Sequence, residues 1–250
     1  MSGHSKWSTI KHKKAATDHK RGKLFTRLAK EITIAARESG ADPETNTRLR
    51  LAIDKAKANN MPKDNIERAV KRGTGELEGD ELFEIIYEGY GPHGVGLLIE
   101  TVTDNRNRAV ADVRHVLTKY GGNMGETGSV SWQFSRKGYI ALKSNGDIDE
   151  DELFLVAAEA GAEDVQFGEA PEIYAALDDF QGVQAALEEA GYDIDEANMI
   201  YEANNPISLG HRESMQVLTL VEKLEDLDDV QNIYSALDIT DEVMEAMEAA

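Results

Sequence analysis

The 250-residue sequence contains no cysteine, and this absence excludes several kinds of site at once. Without thiols there can be no disulfide, no thiolate nucleophile and no cysteine-ligated zinc, which fits a reducing compartment. No apolar run approaches the roughly 18 residues that cross a bilayer. The positively charged N-terminus lacks the apolar segment that follows it in a secretory signal. We therefore expect a cytoplasmic protein that does not enter a membrane.

Recognisable catalytic and metal-binding motifs are also missing. The six histidines include no HExxH spacing. His12 and His19 lie seven residues apart and have no third ligand in the motif. The Gly-rich stretch Gly73–Asp80 lacks the GK[ST] ending of a phosphate-binding loop. We predict that the protein is not an enzyme, with no catalytic residue, no metal and no cofactor.

Positive charge is scarce except in the N-terminal part. Residues 1–75 hold 18 Lys and Arg against 8 Asp and Glu, a net charge of +10, whereas the remainder holds 9 basic and 39 acidic residues, a net charge of −30. A dense basic segment on an acidic chain is typical of a polyanion-binding arm, although a solvated helix face is the ordinary alternative. Because the acidic remainder must point away from a polyanion, binding would use one side of the molecule.

From about Lys20 the basic residues acquire a helical period. At 100° per residue, five cations fall within one arc of about 100°: Lys20, Lys23, Arg27, Lys30 and Arg37. Apolar residues occupy the other side, with Ile34 as the one exception. Trp7, in the segment before this helix, suits stacking on a base or anchoring the segment to the helices. We predict nucleic-acid contacts at eleven residues: Lys6, Trp7, Lys11, His12, Lys13, Lys14, Lys20, Arg21, Lys23, Arg27 and Lys30.

Two further places are candidates for secondary contacts. Arg106 and Arg108 follow Asp104, the predicted N-cap of a helix, where free N–H groups also attract anions. They could hold a phosphate, and pairing with nearby acidic residues is the alternative. Tyr90 and His93, in the hairpin YEGYGPHG, could stack on bases. Glycine and proline geometry alone would also account for that turn.

Capping signals and periodicity predict the order of the elements. Three helices occupy residues 20–73, the second opened by Asp42-Pro43 and the third by Met61–Asp64. The next elements are strands at 82–90 and 95–103, a helix at 105–119 and a strand at Ser129–Ser135. Residues 138–202 follow a strand-helix-strand-strand-helix-strand order, which is ferredoxin-like. The last predicted elements are a helix near 211–226, a strand near 229–235 and a short helix from about 240.

The last helix and strand cannot form a core of their own, so we expect them to complete the first sheet. The predicted fold is therefore an α+β protein of three domains. Residues 1–75 form a basic arm and a helical nucleic-acid-binding domain. Residues 82–136 and 205–250 form a discontinuous α/β domain. Residues 137–204 form a ferredoxin-like βαββαβ domain that is inserted into it.

Six motifs, in the same order along the chain, resemble those of the YebC/PmpR family: GHSKW, KRGKLFTRL, NNMPKDNIERA, YEGYGPHG, TDNRNR and EDLDDVQNIY. The resemblance extends over essentially the whole chain. It implies a three-domain cytoplasmic protein with a helical N-terminal domain and two α/β domains. It also implies a role in gene expression. Some members are described as DNA-binding transcriptional regulators, others act in translation, and bacterial members are linked to relief of ribosome stalling at proline-rich stretches.

We predict a monomeric nucleic-acid-binding regulator of gene expression whose partner is DNA or ribosomal RNA. The helices show no clear helix-turn-helix pattern and no dimerisation heptads. These absences favour structured RNA as the partner over a DNA operator that is recognised by its sequence. One alternative is a ribosome-binding translation factor that eases stalled synthesis. The other is an adaptor that contacts a protein partner through the acidic domains.

Overall fold

Three helices form the N-terminal part of the structure, a computed structural model that describes residues 18–143, 148–168, 170–240 and 243. They are α1 (Asp18–Ser39), α2 (Thr47–Ala58) and α3 (Lys63–Gly73). Apolar residues of all three helices pack into one core cluster. Two contacts show that helices α1 and α3 run side by side in the same direction. Thr33 donates a hydrogen bond to the carbonyl of Ala69, and Ala36, further along α1, packs on Gly73, further along α3. A Cβ at Gly73 would lie only 2.7 Å from the Ala36 Cβ, so only glycine fits there.

The start of α2 differs from the prediction. Asp42 does not cap this helix; Asn46 does, with its side-chain oxygen accepting from the N–H of Leu49 at 3.0 Å. The buried amide of Asn46 also donates to the carbonyls of Ala35 and Gly40, both at 2.8 Å. Asn46 therefore ties the turn to α1 as well as capping α2, which a cap chosen from local sequence does not reveal.

The described residues after Gly73 form two four-stranded sheets with covering helices. In chain order the elements are β1 (Phe83–Tyr90), β2 (Gly96–Thr103), α4 (Arg106–Lys119), β3 (Asn123–Met124), β4 (Phe134–Leu142), α5 (Glu150–Glu159), β5 (Ala162–Gln166), β6 (Glu172–Ala175), α6 (Phe180–Glu189), β7 (Ile194–Ala203), β8 (Ile207–Ser208), α7 (His211–Glu225), β9 (Val230–Ser235) and β10 (Leu237–Asp238). None of the helices in these described stretches is long and apolar enough to cross a membrane. The mixed α+β class predicted from the sequence is confirmed.

The first sheet has the strand order β3-β1-β2-β9, so the late strand β9 lies beside β2 with antiparallel pairing. The second sheet has the order β5-β6-β4-β7, which is the ferredoxin-like order. Strands β8 and β10 form a short parallel pair. Most of the helix predicted from about residue 240 lies outside the described residues.

The predicted strand Ser129–Ser135 is wrong as far as Gln133, and only its last two residues lie in a strand. A 3-10 turn at Ser131–Gln133 leads into β4, whose first residue, Phe134, pairs with Ala203 of the second sheet. The cause is the buried carboxylate of Glu88, which accepts the backbone N–H groups of residues 128, 130 and 131 at 2.6 to 2.8 Å. Those donors are therefore not available to a β-ladder.

The two sheets share one hydrophobic core. Ile99 and Leu117 of the first sheet region belong to the same cluster as Tyr139 and Ile200 of the second. A separate cluster lies under α5 and α6, and Leu51 of α2 joins it. The helical part therefore packs against both sheet domains.

Candidate nucleic-acid interface

The predicted contacts of the arm lie outside the described residues. This applies to Lys6, Trp7, Lys11, His12, Lys13 and Lys14. Lys20 lies in α1, but the described side chains begin at Arg21. The exposed guanidinium of Arg21 lies 5.5 Å from the ring centroid of Phe25, a cation–π distance. For the arm and Lys20, nucleic-acid binding stays a prediction.

Three of the predicted cations on α1 contact the turn between α7 and β9, residues 225–229, which we call the acidic turn. Lys23 Nζ donates to the carbonyl oxygen of Asp226 at 3.0 Å and lies 3.1 Å from a carboxylate oxygen of Asp228. Arg27 donates to the carbonyl oxygen of Glu225, the last residue of α7. Carbonyls at a helix C-terminus carry partial negative charge, so these cations are well placed to stabilise the end of α7.

Lys30 is the most completely bonded of the three. Its ammonium group donates to the carbonyl of Val102 at 2.9 Å, the carbonyl of Asp228 at 3.2 Å and the carboxylate of Asp229 at 2.9 Å. An ammonium has three N–H donors, and three acceptors surround this one. As folded here, Lys30 has no donor left for a phosphate.

Asp229 is the centre of this contact, and only 8% of it is exposed. Its carboxylate also accepts from the hydroxyl of Thr103 at 3.0 Å and from the guanidinium of Arg108 at 2.9 Å. Burial by itself would raise the pKa of Asp229, but hydrogen bonds from Lys30 and Arg108, with the charge of Lys30, outweigh burial and hold the pKa below its usual value. One carboxylate thus joins α1, β2, α4 and the acidic turn.

The secondary candidates mostly contact other parts of the protein. Arg108 pairs with Asp104 at 2.6 Å as well as with Asp229, which matches the acidic-partner alternative. Arg106 stacks over the ring of Phe83 at 3.9 Å. The predicted cap of α4 also changes, because the side chain of Asn105, and not that of Asp104, accepts from the N–H of Arg108.

The hairpin residues Tyr90 and His93 point to different partners. Tyr90 packs against the shared core, and its hydroxyl donates to the carbonyl of Ser129 at 2.8 Å. His93 is exposed, and its Nε2 lies 2.7 Å from the side-chain oxygen of Gln216 on α7. His93 also has a positive φ of 62°, a backbone conformation that is uncommon for residues other than glycine. The structure does not bring these two residues together with the cations of α1.

The structure reveals exposed groups that the sequence analysis did not select. Arg68, Lys71 and Arg72 lie on the outer face of α3 and are exposed. Arg68 and Arg72 line a cleft of about 1230 Å³ between the helical part, α4 and the acidic turn. Trp132 is 69% exposed, yet its indole N–H donates to the carbonyl of Ser129 at 3.0 Å. The helical spacing of the three α3 cations was readable in the sequence, whereas the exposure of Trp132 was not.

Within the described stretches, no group of three or more His, Asp or Glu side chains could hold a metal ion. The carboxylates described above are engaged in internal contacts of the protein. The geometry on this side of the molecule is that of charged contacts between domains, beside a set of exposed cations on α3.

The fold and this surface define a class of protein in which a basic helical domain is seated on two acidic α/β domains. The chain belongs to the TACO1/YebC family. The description "TACO1/YebC protein N-terminal domain" matches residues 5–76, and "TACO1/YebC second and third domain" matches residues 82–237. The family resemblance noted in the sequence motifs is thereby confirmed.

Relatives match over nearly the whole chain. A "Probable transcriptional regulatory protein" of Halothermothrix orenii is 55% identical over 248 residues, which is 98% of each chain. A protein of Acidithiobacillus ferrooxidans with the same name is 55% identical over 250 residues, covering 100% of this chain and 99% of the relative. The crystal structure of a conserved hypothetical protein of Aquifex aeolicus superposes with a TM-score of 0.83 at 46% identity, covering 92% of this chain and 95% of the other.

Proposed function

We propose that this protein is a nucleic-acid-binding regulator of gene expression that acts in the cytoplasm. The division of charge carries the proposal: residues 1–75 have a net charge of +10, and the remainder has −30. A polyanion is attracted to the first part and repelled by the second, so it meets the molecule in one orientation. The names of the relatives, which are those of transcriptional regulatory proteins, agree with this role.

We propose structured RNA, such as ribosomal RNA, as the preferred partner over duplex DNA. A DNA-reading helix must enter the major groove with its side chains free to reach base edges. The side chains of Lys23, Arg27 and Lys30 are held by the acidic turn, so α1 could take that role only if this contact opened. Contacts to the phosphate backbone, which fix position and not sequence, require no such opening.

The test is a salt titration of binding to a ribosomal RNA fragment and to a 20-base-pair duplex DNA, followed by fluorescence anisotropy. On duplex DNA each phosphate contact contributes about −0.9 to the slope of log K against log salt. For about seven contacts we expect a slope of roughly −6, and a shallower one on single strands. Changing Lys11, Lys13 and Lys14 to Glu should weaken binding to every sequence tested and flatten the slope by about three.

A matched control changes Arg114, Lys119 and Arg212 to Glu. These residues are exposed cations of the discontinuous α/β domain of residues 82–136 and 205–250, which we call the middle domain, so the control alters the net charge by the same amount. It should leave the slope nearly unchanged. Binding that is insensitive to salt, or equal in the two triple variants, would show that the arm does not contact phosphates. Tighter binding to the duplex than to the RNA would reverse our choice of partner.

A second candidate function is contact with a protein partner through the inserted domain. Residues 137–204 hold 18 Asp and Glu but only two Lys, and no Arg. On α5 of this domain Phe154 is 51% exposed and Leu155 is 59% exposed, so an apolar pair lies in a strongly acidic surface. Affinity purification from lysate with and without ribonuclease separates the two functions. Partners that persist after ribonuclease and are lost when Phe154 and Leu155 become Ser would support the adaptor.

A further inference from the structure

Two groups of cations in the described helical part differ in their contacts. One group bonds to acceptors outside the three helices, in β1, β2, the residue before β1, or the acidic turn: Lys23, Arg27, Lys30, Arg37 and Arg48. These cations hold the helical part against the middle domain. The second group lies on α3, where Lys71 and Arg72 form no ion pair with any described residue. Among the residues that the structure describes, Arg68 bonds only within its own helix, to the carbonyl of Asp64 and the side chain of Asn65.

The three cations of the second group share one face of α3. At 100° per residue, Arg68, Lys71 and Arg72 fall within an arc of about 100°. Ile66 and Ala69, which are 8% and 2% exposed, lie on other sides of the helix and pack in the helical core. The packing of α3 therefore turns the three cations outward and keeps them there.

We propose that Arg68, Lys71 and Arg72 form a phosphate-binding face that contacts the nucleic-acid backbone as a second site in addition to the arm. The inference rests on the proposed function and deepens it. Guanidinium groups bind phosphate oxygens through paired N–H donors, and neither Lys71 nor Arg72 would have to break an ion pair with a described residue to do so. By contrast, Lys30 would have to give up three hydrogen bonds.

The position of α3 suits a backbone that also contacts the arm. Helices α1 and α3 run in the same direction, and Thr33 of α1 contacts Ala69 of α3, next to Arg68. The first residue of α1, Asp18, lies about 15 residues before Thr33. At 1.5 Å per residue this is a distance of about 20 Å. One strand of a nucleic acid covers that distance in about six phosphates.

The far wall of the cleft defines how the nucleic acid must lie. Asp104, Asp112, Asp226 and Asp228 line the side opposite Arg68 and Arg72. These carboxylates repel a polyanion. The backbone therefore passes along the outer edge of α3, where Arg68 and Arg72 border the cleft, and does not enter the cleft.

The experiment compares Arg68→Glu/Lys71→Glu/Arg72→Glu with wild type in the same salt titration, with the 20-base-pair duplex and the ribosomal RNA fragment as probes. We expect the slope on the duplex to flatten by about three, from about −6 to about −3. Affinity should fall for every sequence, because the contacts are to phosphates. The matched control is the same middle-domain variant, Arg114→Glu/Lys119→Glu/Arg212→Glu, which should bind like wild type.

A neutral variant covers the case in which the charge reversal disturbs folding. Changing the same three residues to Gln should flatten the slope equally, because the slope counts the cations lost. A slope that matches the middle-domain control in both variants would overturn the phosphate-binding face. If the arm variant still flattens the slope in that case, the proposed function stands and only the α3 site fails. If no variant changes a slope that is already near zero, both fail together.

Discussion

Replacement of Asp229 by Ala tests the contact between α1 and the acidic turn. The substitution removes a carboxylate whose side chain is 10% exposed and leaves Lys30, 16% exposed, without its anion. Breaking a buried ion pair by removing one partner costs about 3–5 kcal/mol of folding free energy. Lys30 keeps two carbonyl acceptors, and Arg108 is 47% exposed and keeps Asp104, so we expect the lower end, about 3 kcal/mol.

Urea unfolding at pH 7, followed by circular dichroism, measures this loss. A change of about 3 kcal/mol should move the midpoint by about 1 M or more. The control is Asp228→Ala, which removes a carboxylate that is 76% exposed and pairs with Lys23. An exposed pair contributes about 0–1 kcal/mol, so this variant should unfold almost like wild type.

The pH dependence of the same comparison gives an independent check. The pKa of Asp229 is lower in the folded protein than in the unfolded chain, where it is about 3.9. A lowered pKa stabilises the folded state above about pH 4, and the stabilisation is lost as the pH falls through the folded value. The gap between wild type and Asp229→Ala should therefore narrow below about pH 4. Equal midpoints for the two Asp variants at pH 7 would refute the central role of Asp229.

Three further predictions concern the sheets. Glu88→Gln places an amide N–H against a backbone N–H of residues 128–131, which should reduce the free energy of unfolding by about 1–3 kcal/mol. The loss should appear as faster hydrogen exchange at residues 125–133. Truncation after Asn204 removes the partner of β2, so residues 83–124 should lose exchange protection; full protection there would contradict the pairing. Burial raises the pKa of Glu100 in the folded protein above its value in the unfolded chain. The free energy of unfolding should therefore fall as the pH rises from about 4 through the folded pKa of Glu100. Glu100→Gln should lack this decline, and an unchanged pH–stability curve would contradict it.

Local patterns were sufficient for the class of fold and for most elements. Helical periodicity with a Gly at the end of α3 predicted the three N-terminal helices. Alternating strands and helices predicted the βαββαβ order for residues 138–202, and the structure shows it over residues 134–203. The first part of the predicted strand Ser129–Ser135 was wrong because its backbone donors are used by Glu88, some 40 residues earlier in the chain. Such a contact has no local signal.

The candidate site shows the same division between local and distant information. The cations of α1 were visible as a row, but their partners in the acidic turn are about 200 residues away. One residue did indicate a buried surface: Ile34 falls on the cationic face of α1, and it is completely buried. An apolar residue among cations is costly to expose, so that face was a candidate for an interface and not for solvent.

The shared core of the two α/β domains has a mechanical consequence. The chain enters the inserted domain through β4 and leaves it through β7, which are neighbours in one sheet. The ring of Tyr201 on β7 meets that of Tyr234 on β9 edge-on, with centroids 5.2 Å apart. A pull on the acidic inserted domain is therefore transmitted through a paired double strand and the shared core into the first sheet. The strand β9 that receives the load follows directly after the acidic turn that holds α1, so force applied at one end of the molecule reaches the basic helices at the other.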